Sequence, residues 1–528
     1  MLNKLSVSVL LIFCAFLFFW RLDKVPPGFY IDESLHSYNA LSILETGKDE
    51  YGKGFPVLFR FFGSYNEPLY VYLTTISIWL FGETIFAARL ISALAGVLST
   101  ILIYFFMLKV TKNRTTSVIV GLLGAMSPWL LLYSRTGFEV SLAFFLFLLG
   151  LFTFYLGTKK PKYIAISFWL FSFSTYAAYT ERFVSPLLAL LLIFIFKEYL
   201  FRKENRKYLL LGTSGALLIQ IPHLFLVSTP AFFPKGDLFS LGGFIARYIY
   251  YFSPEALFFK GDPDLQRSVP EMAVFPFWLV IPYFVGWYFC FKKRFSNLSK
   301  LIIASALISP LPAALTSDPF ATHRAMPLLA PLLLVIGIGV NKIFEILKPF
   351  LGVFLFLLIF MVSALLLWRS FFVLLPGERS FYWGQQYVEL AKLIKQDHQN
   401  LYLIDQGRLK IAYATIAYIA DIDPLIFQQP QSLEIEENYY SAFPYNPSYS
   451  FANVELRSLD WETDIYKNQI IVGDNISISQ EQAREHFLKK EFEITDPLGE
   501  VLLSGFKTSP KSKCESIKYE NTHCKGVK

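Results

Sequence analysis

The chain has 528 residues, 54% of them hydrophobic and only 17% charged, with 55 Phe, 30 Tyr and 9 Trp and a mean hydropathy of +0.44. Soluble domains carry about 25% charged residues, so this composition excludes a disordered chain, a fibrous repeat and an ordinary cytosolic enzyme, and implies an integral membrane protein. The net charge of +7 is therefore read through its distribution over loops, which sets membrane orientation, and points to no nucleic-acid partner.

A crossing helix needs about 20 apolar residues. In chain order, apolar runs at 5–20, 84–108, 115–133, 140–157, 162–178, 183–197, 207–226, 273–291, 300–315, 325–341 and 349–372 predict eleven spans. No small-x-small cleavage site follows the first run, where Trp20-Arg21-Leu22-Asp23 stands, so it reads as an uncleaved helix. Lys4, the 109–114 and 159–162 loops, the cluster from Lys197 to Lys207, Lys292-Lys293-Arg294 with Lys300, and Lys342 with Lys348 all fall on one side. The opposite loops mix their Lys and Arg with more numerous Asp and Glu, so the N-terminus is expected in the cytoplasm and the 21–83 loop outside. The run 68–82 is short for a span, and counting it would invert every later loop; it is expected to lie along the outer membrane surface.

After Pro376 no run is long enough to span. Periodicity there predicts a soluble α/β domain over 376–528, outside the membrane-embedded 1–375, with helices at 382–396, 408–420 and 479–489. Strands are expected at 400–405, 469–472, 490–496 and 500–506, and a loop over 421–450. Eleven spans put this domain outside the cell membrane, where Cys514 and Cys524, ten apart, would pair if the compartment is oxidising. Cys14 and Cys290 lie in or beside apolar runs and read as small hydrophobes.

No Walker loop, GxGxxG, HExxH, CxxC or GxSxG occurs, which leaves ATP-driven pumps and the common hydrolases without support. Polar residues gather instead at the outer ends of the spans: Asp32-Glu33, Arg135 to Glu139, Glu181-Arg182 and Asp318 to Arg324. Ionisable groups at the margin of apolar helices are functional candidates. Carboxylates with convergent Arg and His suit a lipid-anchored phosphate, because guanidinium forks clasp phosphate oxygens and a carboxylate accepts a proton. Structural readings stand beside these. Asp32 could cap a helix over 33–46, Glu33 could complement its dipole, Arg135 and Glu139 could form an i,i+4 pair, Glu181 could pair with Arg182, and Arg324 could snorkel.

The opening PPGFYIDESLHSYNALSILETGKDEYGKGFPVLF, followed by NEPLYVYL, SPWLLLYSRTGFEVSLAFF, YTERFVSPLLALLL and THRAMPLLAPLLLVIGIG, resembles the dolichyl-phosphate-mannose-protein mannosyltransferase-like family over about residues 1–345. This is the bacterial group of GT-C fold glycosyltransferases that includes aminoarabinose transferases. The resemblance implies a multi-pass enzyme that moves a sugar, expected to be a hexose, from a polyprenyl-phosphate carrier to a protein, lipid or glycan acceptor, with inversion. It implies Asp32 as general base with Glu33 beside it, Glu139 as the second acid, and His323 and Arg324 at the carrier phosphate, with Arg182 and Arg60 as further phosphate cations. No cofactor is required; a divalent cation at Asp32 and Glu139 stays open. Two departures stand out: Glu67 precedes Pro68 where the aminoarabinose transferases have Lys, and Glu139 stands where they usually have Asp. The first leaves Arg60, Lys53 or Arg89 as replacement cations. The 227–272 loop is expected to close over the carrier. A lipid-linked glycan transporter or flippase, and a glycan polymerase or ligase, are the alternative readings.

Overall fold

The computed structural model describes residues 2–233, 240–294, 296–347, 349–397, 399–406, 412–428, 438–443, 448–518 and 521–525. Its first half contains helices α1 (Leu2–Phe19), α2 (Ile31–Thr46), α3 (Pro68–Phe81), α4 (Ile85–Thr111), α5 (Arg114–Ala125), α6 (Pro128–Ser134), α7 (Val140–Gly157), α8 (Lys162–Ser174) and α9 (Glu181–Ile195). All eleven apolar runs are helical, but they are not eleven even crossings. Five helices among the described residues are long and apolar enough to cross a membrane: Ile85–Thr111, Val140–Gly157, Asn297–Ala314, Met326–Ile346 and Phe354–Glu378. A sixth is the pair α5 and α6, bent by 59°. The other runs form helices of at most 18 residues, and prolines account for several of the breaks. Pro128 opens α6, Pro222 opens the turn Ile221–Leu224 and Pro312 opens Leu311–Ala314; proline lacks the N–H that would continue the preceding helix.

Small residues let the helices touch. A Cβ on Gly286 would meet the Val335 carbonyl at 1.9 Å, and one on Gly339 the Pro282 carbonyl at 1.9 Å. The helices Val280–Lys292 and Leu329–Ile346 therefore pack backbone to backbone, the close approach that small residues permit in membranes. Helix α3 has 14 residues; it buries Tyr70, Val71 and Ile78 and leaves Ile76, Trp79, Leu80 and Phe81 exposed, as a helix at a membrane surface would.

Within the 21–83 loop, β1 (Phe59–Phe61) and β2 (Ser64–Asn66) form an antiparallel hairpin, turned by Phe62 and Gly63 at φ 42° and 78°. The C-terminal sheet has six strands, β3 (Tyr402–Asp405), β4 (Tyr449–Phe451), β5 (Val454–Arg457), β6 (Ile470–Gly473), β7 (Lys489–Thr495) and β8 (Val501–Lys507), in the order β4-β5-β3-β6-β8-β7. β3 runs parallel to β5 and β6, and the outer pairings are antiparallel. The expected strands are present. The helix Pro424–Gln428 and the start of β4 fall within the expected loop 421–450, and β5 follows it, while 429–437 and 444–447 lie outside the described residues. The helix expected at 408–420 is seen as Tyr413–Ile419, with 407–411 outside the described residues, and that at 479–489 stops at Glu485 because Lys489 already starts β7. Cys514 and Cys524 are bonded, and Cys14 and Cys290 are free and buried.

This sheet does not stand apart. Leu35, Tyr38 and Leu41 of α2 share one apolar core with Tyr387, Ile404, Tyr413 and Val454. The Tyr38 hydroxyl donates to the Ile422 carbonyl (3.3 Å), and the Tyr413 hydroxyl to Glu50 (3.0 Å). The first loop and the C-terminal domain thus lie on the same side of the membrane helices, and together they fix α2, which carries Asp32 and Glu33.

Candidate active site

Helix α2 begins one residue before Asp32. Tyr30 occupies the cap position, and its backbone N–H is accepted by Glu33 Oε2 (2.9 Å), so Asp32 is not the cap. Its carboxylate has no hydrogen-bond partner among the described residues and lines two cavities at once. Burial, with the neighbouring Glu33 charge, pushes Asp32 up to about 7, where a carboxylate is suited to take a proton at neutral pH.

Glu33, its neighbour in sequence, is spent. It accepts from Arg89 Nε and Nη2 (both 2.9 Å) and from the Gly137 backbone N–H. Arg89 gives its remaining donor capacity to the carbonyls of Leu22, Pro26 and Gly28 at 2.9–3.0 Å, so all five guanidinium N–H groups are used. Glu33 and Arg89 form a fully buried ion pair with all of the Arg89 donors engaged within the protein. Arg135 is likewise consumed by carbonyls at the end of α1, including Leu17 (2.6 Å) and Trp20 (2.8 Å), and forms no pair with Glu139.

The larger cavity, about 610 Å3, has Asp32, Glu139, His323 and Arg324 on its walls. Its other side is apolar, with Phe183, Leu187 and Leu315. Glu139 lies beside His36, whose Nε2 is 3.5 Å from Glu139 Oε2. His36 Nδ1 donates to the Asp32 carbonyl (2.6 Å), and burial lowers its pKa to about 4; the ring is neutral, its Nε2 lone pair faces the Asn66 amide N–H (3.4 Å), and the neighbouring Glu139, which burial raises to about 8, faces it in its protonated form. The smaller pocket, about 70 Å3, is walled by Tyr30, Tyr133 and Trp383 and contains Asp32, Arg267 and His323. Asp32, Phe138 and His323 line both spaces.

Arg267, in the 227–272 loop, was not picked out by the sequence. It faces Asp262 (Nε to Oδ2 3.2 Å), shares Asp318 Oδ2 with Arg324 (3.1 and 3.2 Å) and lies 3.4 Å from His323 Nδ1. A guanidinium has no lone pair, so Nδ1 accepts and the His323 proton sits on Nε2. Burial and the two arginines push His323 well below its ordinary pKa, so it acts as a neutral donor. Asp262 also accepts from Thr322 N (2.9 Å) and Thr322 Oγ1 (2.8 Å). The 262–268 stretch is pinned by these bonds and needs no closure to bring Arg267 to the site; 234–239 of the same loop lie outside the described residues. The one sequence signal for this cation was Asp262-Pro263-Asp264-Leu265-Gln266-Arg267, a charged run in a long loop.

Arg60 and Arg182 are placed elsewhere. Arg60 donates from Nε and Nη2 to the carbonyls of Tyr439 and Asn438 (both 2.7 Å) and lies over the Phe443 ring; it fastens the C-terminal domain to the β1–β2 hairpin and does not reach Asp32. Lys53 sits over the Tyr439 ring. Arg182 pairs with Glu67 (2.5 Å), buried beside His223, while Glu181 accepts from Ser185 (2.6 Å), so the expected Glu181–Arg182 pair is not formed. The acid before Pro68 is thus neutralised by Arg182. Among the described residues no group of three His, Cys, Asp or Glu is arranged to hold a metal ion; Asp32 and Glu139 are two carboxylates on one cavity.

The family model of dolichyl-phosphate-mannose-protein mannosyltransferase matches residues 66–225. No curated protein matches the sequence. Among solved structures, the chain is similar to ArnT from Cupriavidus metallidurans in the apo state, with 13% identity over 96% of this chain and 98% of that one and a TM-score of 0.58. It is similar to the same protein bound to undecaprenyl phosphate, with 14% identity over 95% and 97% and a TM-score of 0.55. The Archaeoglobus fulgidus oligosaccharyltransferase tethered to an acceptor peptide matches with 13% identity over 96% of this chain and 74% of that one, at a TM-score of 0.52. The fold is the GT-C fold, a multi-pass helical membrane part followed by a C-terminal sheet domain.

Proposed function

We propose that the protein is a membrane glycosyltransferase that moves a sugar from a polyprenyl-phosphate carrier to an acceptor, with inversion at the anomeric carbon. The observation that carries the reading is one unpartnered carboxylate, Asp32, on a 610 Å3 cavity that also presents Arg324 and His323 and has apolar walls. The fold and the undecaprenyl phosphate in the similar ArnT structure agree with it. The acceptor oxygen attacks C1 while the C1–O bond to phosphate breaks; the bond pair leaves with the phosphate, and Asp32 takes the acceptor's proton. Arg324, Arg267 and the His323 Nε2–H meet the charge that develops on the phosphate, where preorganised donors have their largest effect. The carrier chain lies against Phe183, Leu187 and Leu315, and Glu139, beside His36, positions the acceptor.

The carried sugar is proposed to be a hexose and the acceptor a protein, lipid or glycan at the outer face. A metal is not required in this scheme: Asp32 takes the proton, and the Arg324, Arg267 and His323 donors meet the phosphate charge. The site, the first loop and the C-terminal domain share one side of the membrane, proposed to be the outer one; the loop charge bias and the Cys514–Cys524 bond support this. The reading is tested with the purified chain in nanodiscs and a radiolabelled hexosyl undecaprenyl phosphate. Label transfer with release of sugar-free carrier is expected, unaffected by chelator. Intact donor after incubation with cell-envelope acceptors, or a cytoplasmic reporter active after residue 375, would count against it.

A further inference from the structure

One wall of the larger cavity has no part in the scheme so far. Tyr179 and Thr180 line that space together with Arg324, in the turn that joins α8 to α9. Thr180 occupies the cap position of α9, yet its side chain makes no capping hydrogen bond. It is 8% exposed, and the little surface it keeps includes its hydroxyl oxygen, which no group among the described residues engages. Tyr179 is half-buried, and its hydroxyl is accessible and likewise unpartnered. Its ring is held from two sides, by the Arg182 guanidinium 5.2 Å from the ring centroid and by Phe183 edge-on at 5.4 Å. Burial pushes the phenol up to about 12 against the pull of Arg182 and Arg324, so it keeps its proton at neutral pH and can donate it in a hydrogen bond. The neighbouring acids are engaged: Glu181 accepts from Ser185 (2.6 Å) and Ser174 (3.4 Å), and Glu67 pairs with Arg182.

We infer that Tyr179 and Thr180 are ligands of the carrier phosphate, each donating its hydroxyl to a phosphate oxygen beside Arg324. This rests on the glycosyltransferase reading above and deepens it. Two free hydroxyls stand at the N-terminus of a 15-residue helix, the end at which an anion is favoured. Phe183 and Leu187, four residues apart on the same helix, belong to the apolar side of the cavity. A polyprenyl chain seated along them therefore brings its phosphate to the start of α9, where the hydroxyls and Arg324 are. A sugar or acceptor hydroxyl placed there would find two donors and a cation; a phosphate supplies the negative charge and the several acceptor oxygens that such a set matches.

Binding is measured with the full chain in nanodiscs, using undecaprenyl phosphate and, as the probe without phosphate, undecaprenol. Tyr179→Phe and Thr180→Val each remove one hydroxyl and keep the shape. Each should weaken undecaprenyl phosphate about tenfold, the lower end for a hydrogen bond to a charged group, and leave undecaprenol unchanged. Thr180→Ser keeps the hydroxyl and should bind the phosphate carrier like the parent. Because Thr180 makes no capping bond, Thr180→Val should also melt where the parent does. Parental affinity for undecaprenyl phosphate in both variants, or equal weakening of both probes, overturns the assignment; a loss in one variant alone overturns it for the other residue. A lowered melting temperature in Thr180→Val with parental phosphate affinity would make Thr180 a helix cap and no ligand. A parent that binds undecaprenol as tightly as undecaprenyl phosphate is a different result: it removes the phosphate from this cavity, and with it the glycosyltransferase reading itself.

Discussion

The arginines beneath the site and those at its mouth form two regions with opposite logic. Below, the Arg89 and Glu33 side chains are both 0% exposed, and every Arg89 N–H already has a protein acceptor. At the mouth, the Arg324 side chain is 37% exposed and shares a single acid, Asp318, with Arg267. The lower region is complete without a ligand and the upper one is not. Buried, saturated ion pairs hold a fold in one arrangement and are costly to break, whereas under-satisfied cations beside a cavity are free to meet an incoming phosphate. The same contrast separates two adjacent residues of one helix turn: Glu33 has four donors and Asp32 none.

The sharpest way to break this comparison is to neutralise each acid in turn. Asp32→Asn should cut sugar transfer by about 10²–10⁴-fold, the usual cost of losing a general base, with expression and carrier binding close to the parent. Glu33→Gln or Arg89→Met should do the reverse. Removing one partner of a buried pair costs about 3–5 kcal/mol, so both are expected to unfold or lose yield, read by thermal scanning in detergent. A stable, inactive Glu33→Gln protein would exchange the roles assigned to the two acids.

Next in size is the mouth. Arg324→Ala removes a charge-assisted contact worth about 1.5–3 kcal/mol, so carrier affinity should fall roughly 10- to 100-fold in a binding assay while the melting temperature stays put. Arg324→Lys should fall less, since Lys keeps the charge and loses the fork. Unchanged affinity in Arg324→Ala would place the phosphate on Arg267 alone.

Why one wall of this site could be read from sequence and the other could not follows from the same geometry. Asp32 and His323-Arg324 sit in short polar clusters at the ends of apolar runs, so their spacing marks them. Arg267 is a lone cation in a long loop and reaches His323 only because Asp262 ties that loop to Thr322. Glu33 and Asp32 are indistinguishable as letters; what divides them is Arg89, 56 residues away, and the Gly137 N–H. Arg60 looked like a phosphate ligand because nothing local shows that Tyr439 and Asn438 lie over it. The strands at 402–405 and 470–473 were legible from their β-branched apolar runs, but the β4–β5 turn lacks the Asn-Gly or Asp-Gly signal; it turns through Ala452 at φ 48°.

The smallest expected effects are pH effects, and they test whether Asp32 is held in its raised state by enclosure. With the carboxyl at about 7 in the folded chain, the base form grows as pH rises, so kcat/KM should climb about tenfold per pH unit below 7 and level off above it. The residual activity of Asp32→Asn should lack that limb. Stability should move the other way. The unfolded chain releases this proton near the ordinary value of 3.8, whereas the folded chain keeps it to about 7. Between those values the folded state binds more protons, so its stability falls as pH rises through that window and then flattens. Asparagine has no proton to lose. Asp32→Asn should therefore melt higher than the parent at pH 8, and the gain should shrink steadily as the pH is lowered toward 4. A gain that does not depend on pH would mean that Asp32 titrates at its ordinary value, and the base would then have to be sought at Glu139.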